Sequence, residues 1–163
     1  MRLGSVAPLL ASLVLVGCGS DPAPTESAPY PTDSAKLRPW LDAGSYSSWP
    51  HESAVHLGDG PHNFNVKTYL SPELDASLKA KNKEHPRGAT MVKEIYGSGT
   101  TTVVGYAYAT KLAATSNGGD NWYWYEIQDK SKGTVQADGK GVSACKLCHA
   151  GGTDFVQSQY PLR

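Results

Sequence analysis

Cys145-Lys146-Leu147-Cys148-His149 sets two thiols three residues apart, with an imidazole directly after the second. On one helical turn, residues three apart share a face. Both sulfurs can then add to the two vinyl groups along one edge of a haem, while the histidine ligates its iron. The pattern predicts one covalent haem c per chain, attached through Cys145 and Cys148 and ligated by His149. Two other uses of these residues fit less well. A thioredoxin-type dithiol opens a helix after a strand in a βαβ unit near the start of a chain, whereas this motif lies near the C-terminal end with no such unit around it. A structural zinc site needs four ligands, and there is no second cysteine pair.

The remaining cysteine, Cys18, reads as an anchor. Arg2 precedes an apolar run over residues 9–16, which is too short to span a bilayer and suits a secretory signal. The run ends in Val16-Gly17-Cys18, the small-residue-then-cysteine pattern that a bacterial lipoprotein signal peptidase cuts. Residues 1–17 are therefore expected to be removed and Cys18 to carry lipid. This places the protein in the periplasm or at the cell surface, held to a membrane by a lipid anchor only. Residues 18–35 contain Pro22, Pro24, Pro29 and Pro31 among small polar residues, with no apolar period, and read as a disordered tether. The haem domain is expected over 36–163. Lys+Arg and Asp+Glu number 15 each, so no basic excess suggests a nucleic-acid partner.

The elements that must position the haem are mostly strands. Phe64, Val66 and Thr68 alternate with polar residues. Ser71-Pro72-Glu73 opens a helix, which Leu74 and Leu78 give an apolar face and which is expected to run to His85-Pro86. Residues 89–96, 100–112 and 121–128 read as strands, with turns at 97–99 and 117–120. The last of these holds Trp122-Tyr123-Trp124-Tyr125, large rings on both faces, which demands cover on both sides or a partner subunit. Residues 133–141 read as loop and 142–150 as a short helix. Trp40 and Trp49 are expected to plug the core edge from irregular chain. The sum is α+β and strand-rich: an antiparallel sheet of about four or five strands, one long helix and a short C-terminal haem-binding helix.

No Met follows His149, so the usual plan of a Met/His electron-transfer cytochrome c does not fit, and the strands argue against a four-helix cytochrome c′. A sixth iron ligand would have to be Met91, a lysine, or one of His51, His56, His62 and His85. An open iron position implies small-ligand binding or chemistry.

Several segments together resemble the cytochrome P-460 and cytochrome c′-beta family over roughly residues 45–160. They are Gly60-Pro61-His62, Tyr69-Leu70-Ser71-Pro72, His85-Pro86-Arg87-Gly88-Ala89, Val92-Lys93-Glu94-Ile95-Tyr96, the 118–126 block with Trp122 and Trp124, and Cys145 to His149 followed by Asp154-Phe155-Val156. The resemblance implies a mainly antiparallel sheet, a homodimer and a five-coordinate haem. It also implies a small ligand, nitric oxide or hydroxylamine, and a redox partner protein. P-460 enzymes of this family oxidise hydroxylamine and carry a lysine cross-linked to the porphyrin, whereas c′-beta members bind gases without the link. Lys93 is the candidate for that lysine, ahead of Lys79, Lys81 and Lys111. Glu94, with Asp120 and Glu126, is a candidate distal acid. Strand alternation sends Lys93 and Glu94 to opposite faces, so both line one pocket only if the strand bulges.

Overall fold

The structure, a computed structural model, describes Met1 and residues 29–62, 64–98 and 101–163. Cys18, the rest of the expected signal and the expected tether up to residue 28 lie outside the described residues. The strands are β1 (His56–Leu57), β2 (Asn65–Leu70), β3 (Thr90–Tyr96), β4 (Val103–Lys111), β5 (Trp122–Ile127) and β6 (Ala137–Lys140); the α-helices are α1 (Ser34–Asp42), α2 (Pro72–Lys79) and α3 (Ser143–His149). All six strands form one antiparallel sheet in chain order. The fold is α+β and strand-rich, as the sequence implies, with more strands than expected. Among the described residues no helix is long and apolar enough to cross a membrane.

One face of the sheet is aromatic and aliphatic: Tyr69, Val92, Tyr106, Tyr108, Tyr123 and Tyr125 pack there against Leu37 and Leu41 of α1 and against Tyr46 and Trp49. Of the residues expected as tether, 29–35 are described, and α1 begins within them at Ser34. Asp33 caps α1, its side chain accepting from Lys36 N at 2.9 Å. Leu37 and Leu41, one turn apart, are fully buried. Tyr30 adds its ring to Trp49, with centroids 4.9 Å apart. The start of the expected domain is thus held to the sheet by an amphipathic turn, and Tyr30 packs beside it.

The opposite face carries Leu70, Met91, Ala109, Trp122 and Trp124, covered by Leu74 of α2 and by Val156. Both faces of β5 are therefore covered by the chain itself. The expected long helix is a short one. Ser71 caps α2, accepting from Leu74 N at 3.3 Å, but the helix stops at Lys79 and Lys81 takes a positive φ of 56°. The apolar stripe of Leu74 and Leu78 has no successor, since Lys81 and Asn82 occupy the next turn. In β6, residues expected to be loop become strand because β5 offers an unpaired edge. The segment pairs from Tyr123↔Lys140 to Glu126↔Ala137 despite its poor strand formers.

Two cross-strand rows shape the face that α2 and Val156 partly cover. Thr68, Lys93, Ala107 and Glu126 stand side by side across β2–β5, and Leu70, Met91, Ala109 and Trp124 form the next row on the same face. In the centre of both rows only methyl groups rise from the sheet.

Candidate functional site

Over those two alanines lies a cavity of about 460 Å³, within the range of ligand and cofactor sites. Its floor is Ala107 and Ala109, with Lys93 and Met91 on one side and Trp124 and Glu126 on the other. One wall is the face of α3 carrying Cys145, Cys148 and His149. The 52–62 segment supplies Glu52, His56 and His62, and the C-terminal residues close the rim with Gln157 and Arg163. Arg163 is a cation suited to a carboxylate of the kind a haem carries.

The geometry of His149 is compatible with a ligand role. Its Nδ1 lies 2.8 Å from the Phe155 carbonyl, so Nδ1 carries the proton and Nε2 keeps the lone pair that a metal takes. The ring rests against Trp124, centroids 4.7 Å apart. Burial lowers the tendency of His149 to protonate, outweighing the Phe155 carbonyl that opposes it, and this keeps the imidazole neutral. Phe155 reaches its place because Gly119, at φ 88°, leaves room: a Cβ there would come within 2.7 Å of the Phe155 ring.

The environment of Cys145 weighs against an exchanging dithiol. Burial pushes the Cys145 thiol up to about 11, whereas a disulfide-exchanging cysteine needs its thiolate favoured near neutral pH. Cys148, one turn on, is exposed. Among the described residues no three His, Cys, Asp or Glu side chains cluster to hold a bare metal ion. A haem fits the donor set present, since the porphyrin supplies its own four nitrogens and asks one imidazole of the protein.

Lys93 faces this cavity and Glu94 does not, which corrects the pairing of the two at one site. The bulge in the β3–β4 pairing comes at Ile95/Tyr96, too late to bring Glu94 round. Glu94 instead accepts from the hydroxyls of Tyr46 (2.8 Å), Tyr69 (3.1 Å) and Tyr96 (2.6 Å) behind the sheet. Burial pulls the Lys93 ammonium below its usual range, opposed by the charges of Glu52, Asp59 and Glu126. Of the three candidate distal acids, Glu126 is the one that lines the cavity. Its Oε1 accepts from Gln128 at 2.9 Å and lies 3.4 Å from His62 Nδ1. Burial pushes its carboxyl up, but His62, Gln128 and Lys93 hold it below the usual carboxylate range.

Asp120 is outside the cavity, paired with Lys146 on the outer side of α3. Lys111 is fully buried and paired with Asp154. His85 is buried beside Ser77, with Nδ1 and Oγ 2.9 Å apart, and His51 bonds the Glu52 carbonyl at 2.8 Å. Of the four histidines weighed as sixth ligands, His56 and His62 line the cavity, and so does Met91.

Glu52 is a wall residue that sequence reading passes over. It is buried, accepts from Thr68 N at 2.6 Å and faces His56 Nε2 at 3.1 Å. Its position in irregular chain gives no period from which to read burial.

Neither a protein-family model nor a curated protein matches this chain. The functional reading therefore rests on the motif and the geometry around it.

Proposed function

We propose that the protein is an exported, lipid-tethered c-type haem protein of the cytochrome P-460 and c′-beta kind. Its iron keeps an open position that binds or oxidises small nitrogen compounds such as nitric oxide and hydroxylamine. The observation that carries this reading is His149. It lies beside two thiols on the wall of an alanine-floored cavity, with Nδ1 committed to a backbone carbonyl and Nε2 left over. Cys145 and Cys148 would hold the haem edge, His149 its iron, and Arg163 a carboxylate.

When bound, the haem supplies the one-electron chemistry and the site for a small ligand. The chain's own groups do the rest. Ala107 and Ala109 leave space for a flat ring. Trp124 fixes the plane of the His149 imidazole. Glu126, ionised and half-buried, accepts a proton at Oε1 or Oε2 from a ligand that loses one, and His62 beside it relays that proton towards solvent. Lys93 is the candidate cross-link: burial favours its neutral amine, which is the nucleophilic form. Electrons leave to a redox partner protein, and the functional unit is a homodimer tethered through Cys18.

Electron paramagnetic resonance of the ferric protein tests the open position. A high-spin signal that nitric oxide abolishes, with a nitrosyl signal appearing when nitric oxide is added to the dithionite-reduced protein, supports it. A low-spin signal at rest overturns it. Met91 favours one second reading, a six-coordinate electron carrier, because its thioether lines the same cavity. That reading requires a low-spin resting signal that Met91→Leu converts to high-spin. The ferrous band that names the P-460 family, lost in Lys93→Ala, separates the cross-linked enzyme from a c′-beta-like gas binder.

A further inference from the structure

The bond that readies His149 comes from outside the haem helix, and what holds it is a buried charge cluster. Lys111 ends β4 and is fully buried. Its Nζ donates to Asp154 Oδ2 at 2.6 Å and to the His85 carbonyl at 2.7 Å, with Glu84 at 3.5 Å. Asp154, its side chain 6% exposed, also accepts from His85 N at 2.7 Å and from Ser116 Oγ. Ser116 Oγ in turn accepts from Trp122 Nε1 at 2.9 Å. The Asp154 carboxylate is thus fixed by three donors from three segments, none of them on α3.

The turn that Asp154 belongs to would not choose its shape unaided. Asp154 and Phe155 are consecutive non-glycine residues at φ 48° and 68°, in the left-handed region that L side chains disfavour. Paired bonds between Thr153 and Val156, at 3.0 and 2.9 Å, close the turn. The carboxylate pins its first left-handed residue. The result is a Phe155 carbonyl aimed at His149 Nδ1.

We infer that Asp154 is a positioning residue for His149: clamped by Lys111, Ser116 and the His85 backbone, it sets the direction and strength of the Phe155 carbonyl's bond to the imidazole. The inference rests on the haem reading and adds to it a control on the iron. A stronger Nδ1–H···O bond gives the imidazole more anionic character and favours ferric over ferrous iron. A buried ion pair is a weak source of stability in itself, so its place here is better explained by what it orients.

The test uses the haem-loaded protein and two variants. Asp154→Asn keeps the shape and removes the charge; Ser116→Ala removes one donor and leaves the ion pair. Resonance Raman of the ferrous, ligand-free protein reads the iron–histidine stretch, and a redox titration reads the potential. In both variants the stretch should fall in frequency and the reduced-to-oxidised ratio at fixed poise should rise several-fold, more in Asp154→Asn. Lowered melting temperature with an unchanged stretch and potential would make the cluster merely structural and overturn the inference. If Asp154→Asn does not fold, Ser116→Ala decides by the same two readouts. Purified protein without haem would end the proposed function instead. In that protein, a His149 Nδ1–H resonance that exchanges slowly, and exchanges fast in Ser116→Ala, upholds the clamp, and equal exchange rejects it.

Discussion

Replacing Ala107 with leucine should change stability in opposite directions with and without haem. Ala107 stands between Lys93 and Glu126 in the sheet register and is half-exposed, because what it faces is the cavity. Leucine adds three carbons. In a haem-free Cys145→Ser/Cys148→Ser background they enter open space above the sheet, and burial at about 0.8 kcal/mol per methylene gives a gain of up to about 2 kcal/mol. In the haem-loaded protein the same carbons meet the porphyrin, and overpacking costs about 1–3 kcal/mol. For a domain of this size each kcal/mol moves the melting temperature by roughly 3–5 °C. Paired thermal melts of Ala107→Leu in the two backgrounds should therefore shift up without haem and down with it. Val92→Leu, in the core of the other face, should lower both. Shifts of the same sign for Ala107→Leu in the two backgrounds would refute the claim that the ring lies over the alanine floor.

Three further outcomes rest on the geometry. Burial holds His85 below the ordinary histidine value, against the charge of Asp154. The unfolded chain therefore binds a proton near pH 6.5 that the folded one refuses, and urea midpoints should fall as pH drops below about 6.5. Asp154 is pushed up by burial but held below its ordinary value by Lys111, Ser116 and the His85 backbone. Its stabilisation is complete above about pH 4 and declines further into acid, so a flat acid profile would contradict both assignments. Glu94→Gln should leave the haem spectrum unchanged, because Glu94 lies behind the sheet. It should also move the Tyr69 phenol, held at about 12 by burial and then by Glu94, back towards the ordinary value in a spectrophotometric titration; a shifted haem spectrum would place Glu94 at the site after all. Cys18→Ser should release the protein from membranes in fractionation while haem incorporation persists, and wild-type protein found soluble would remove the anchor.

The core strands were legible because their alternation is local: Val66, Thr68 and Leu70 face one way and Tyr69 the other, and Met91 and Lys93 oppose Val92 and Glu94. The same alternation forbade Lys93 and Glu94 from sharing a pocket. The short helix expected over 142–150 is present as α3. What escaped was set by partners distant in sequence. The strand β6 forms because β5 has an edge to pair, α1 because two leucines find a tyrosine face, and α2 ends where its apolar stripe does. The cavity itself is a product of sheet register. Nothing near Ala107 announces that it will stand between Lys93 and Glu126, and nothing near His149 announces that its Nδ1 will meet the carbonyl of Phe155.

The central claim is one covalent haem on Cys145 and Cys148. The measurement that meets it most directly is the intact mass, under denaturing conditions, of mature protein made in cells with working cytochrome c maturation. The expected mass is that of the lipidated chain from Cys18 plus one haem, with the haem increment absent in Cys145→Ser/Cys148→Ser. A mass equal to the chain and lipid alone would contradict it.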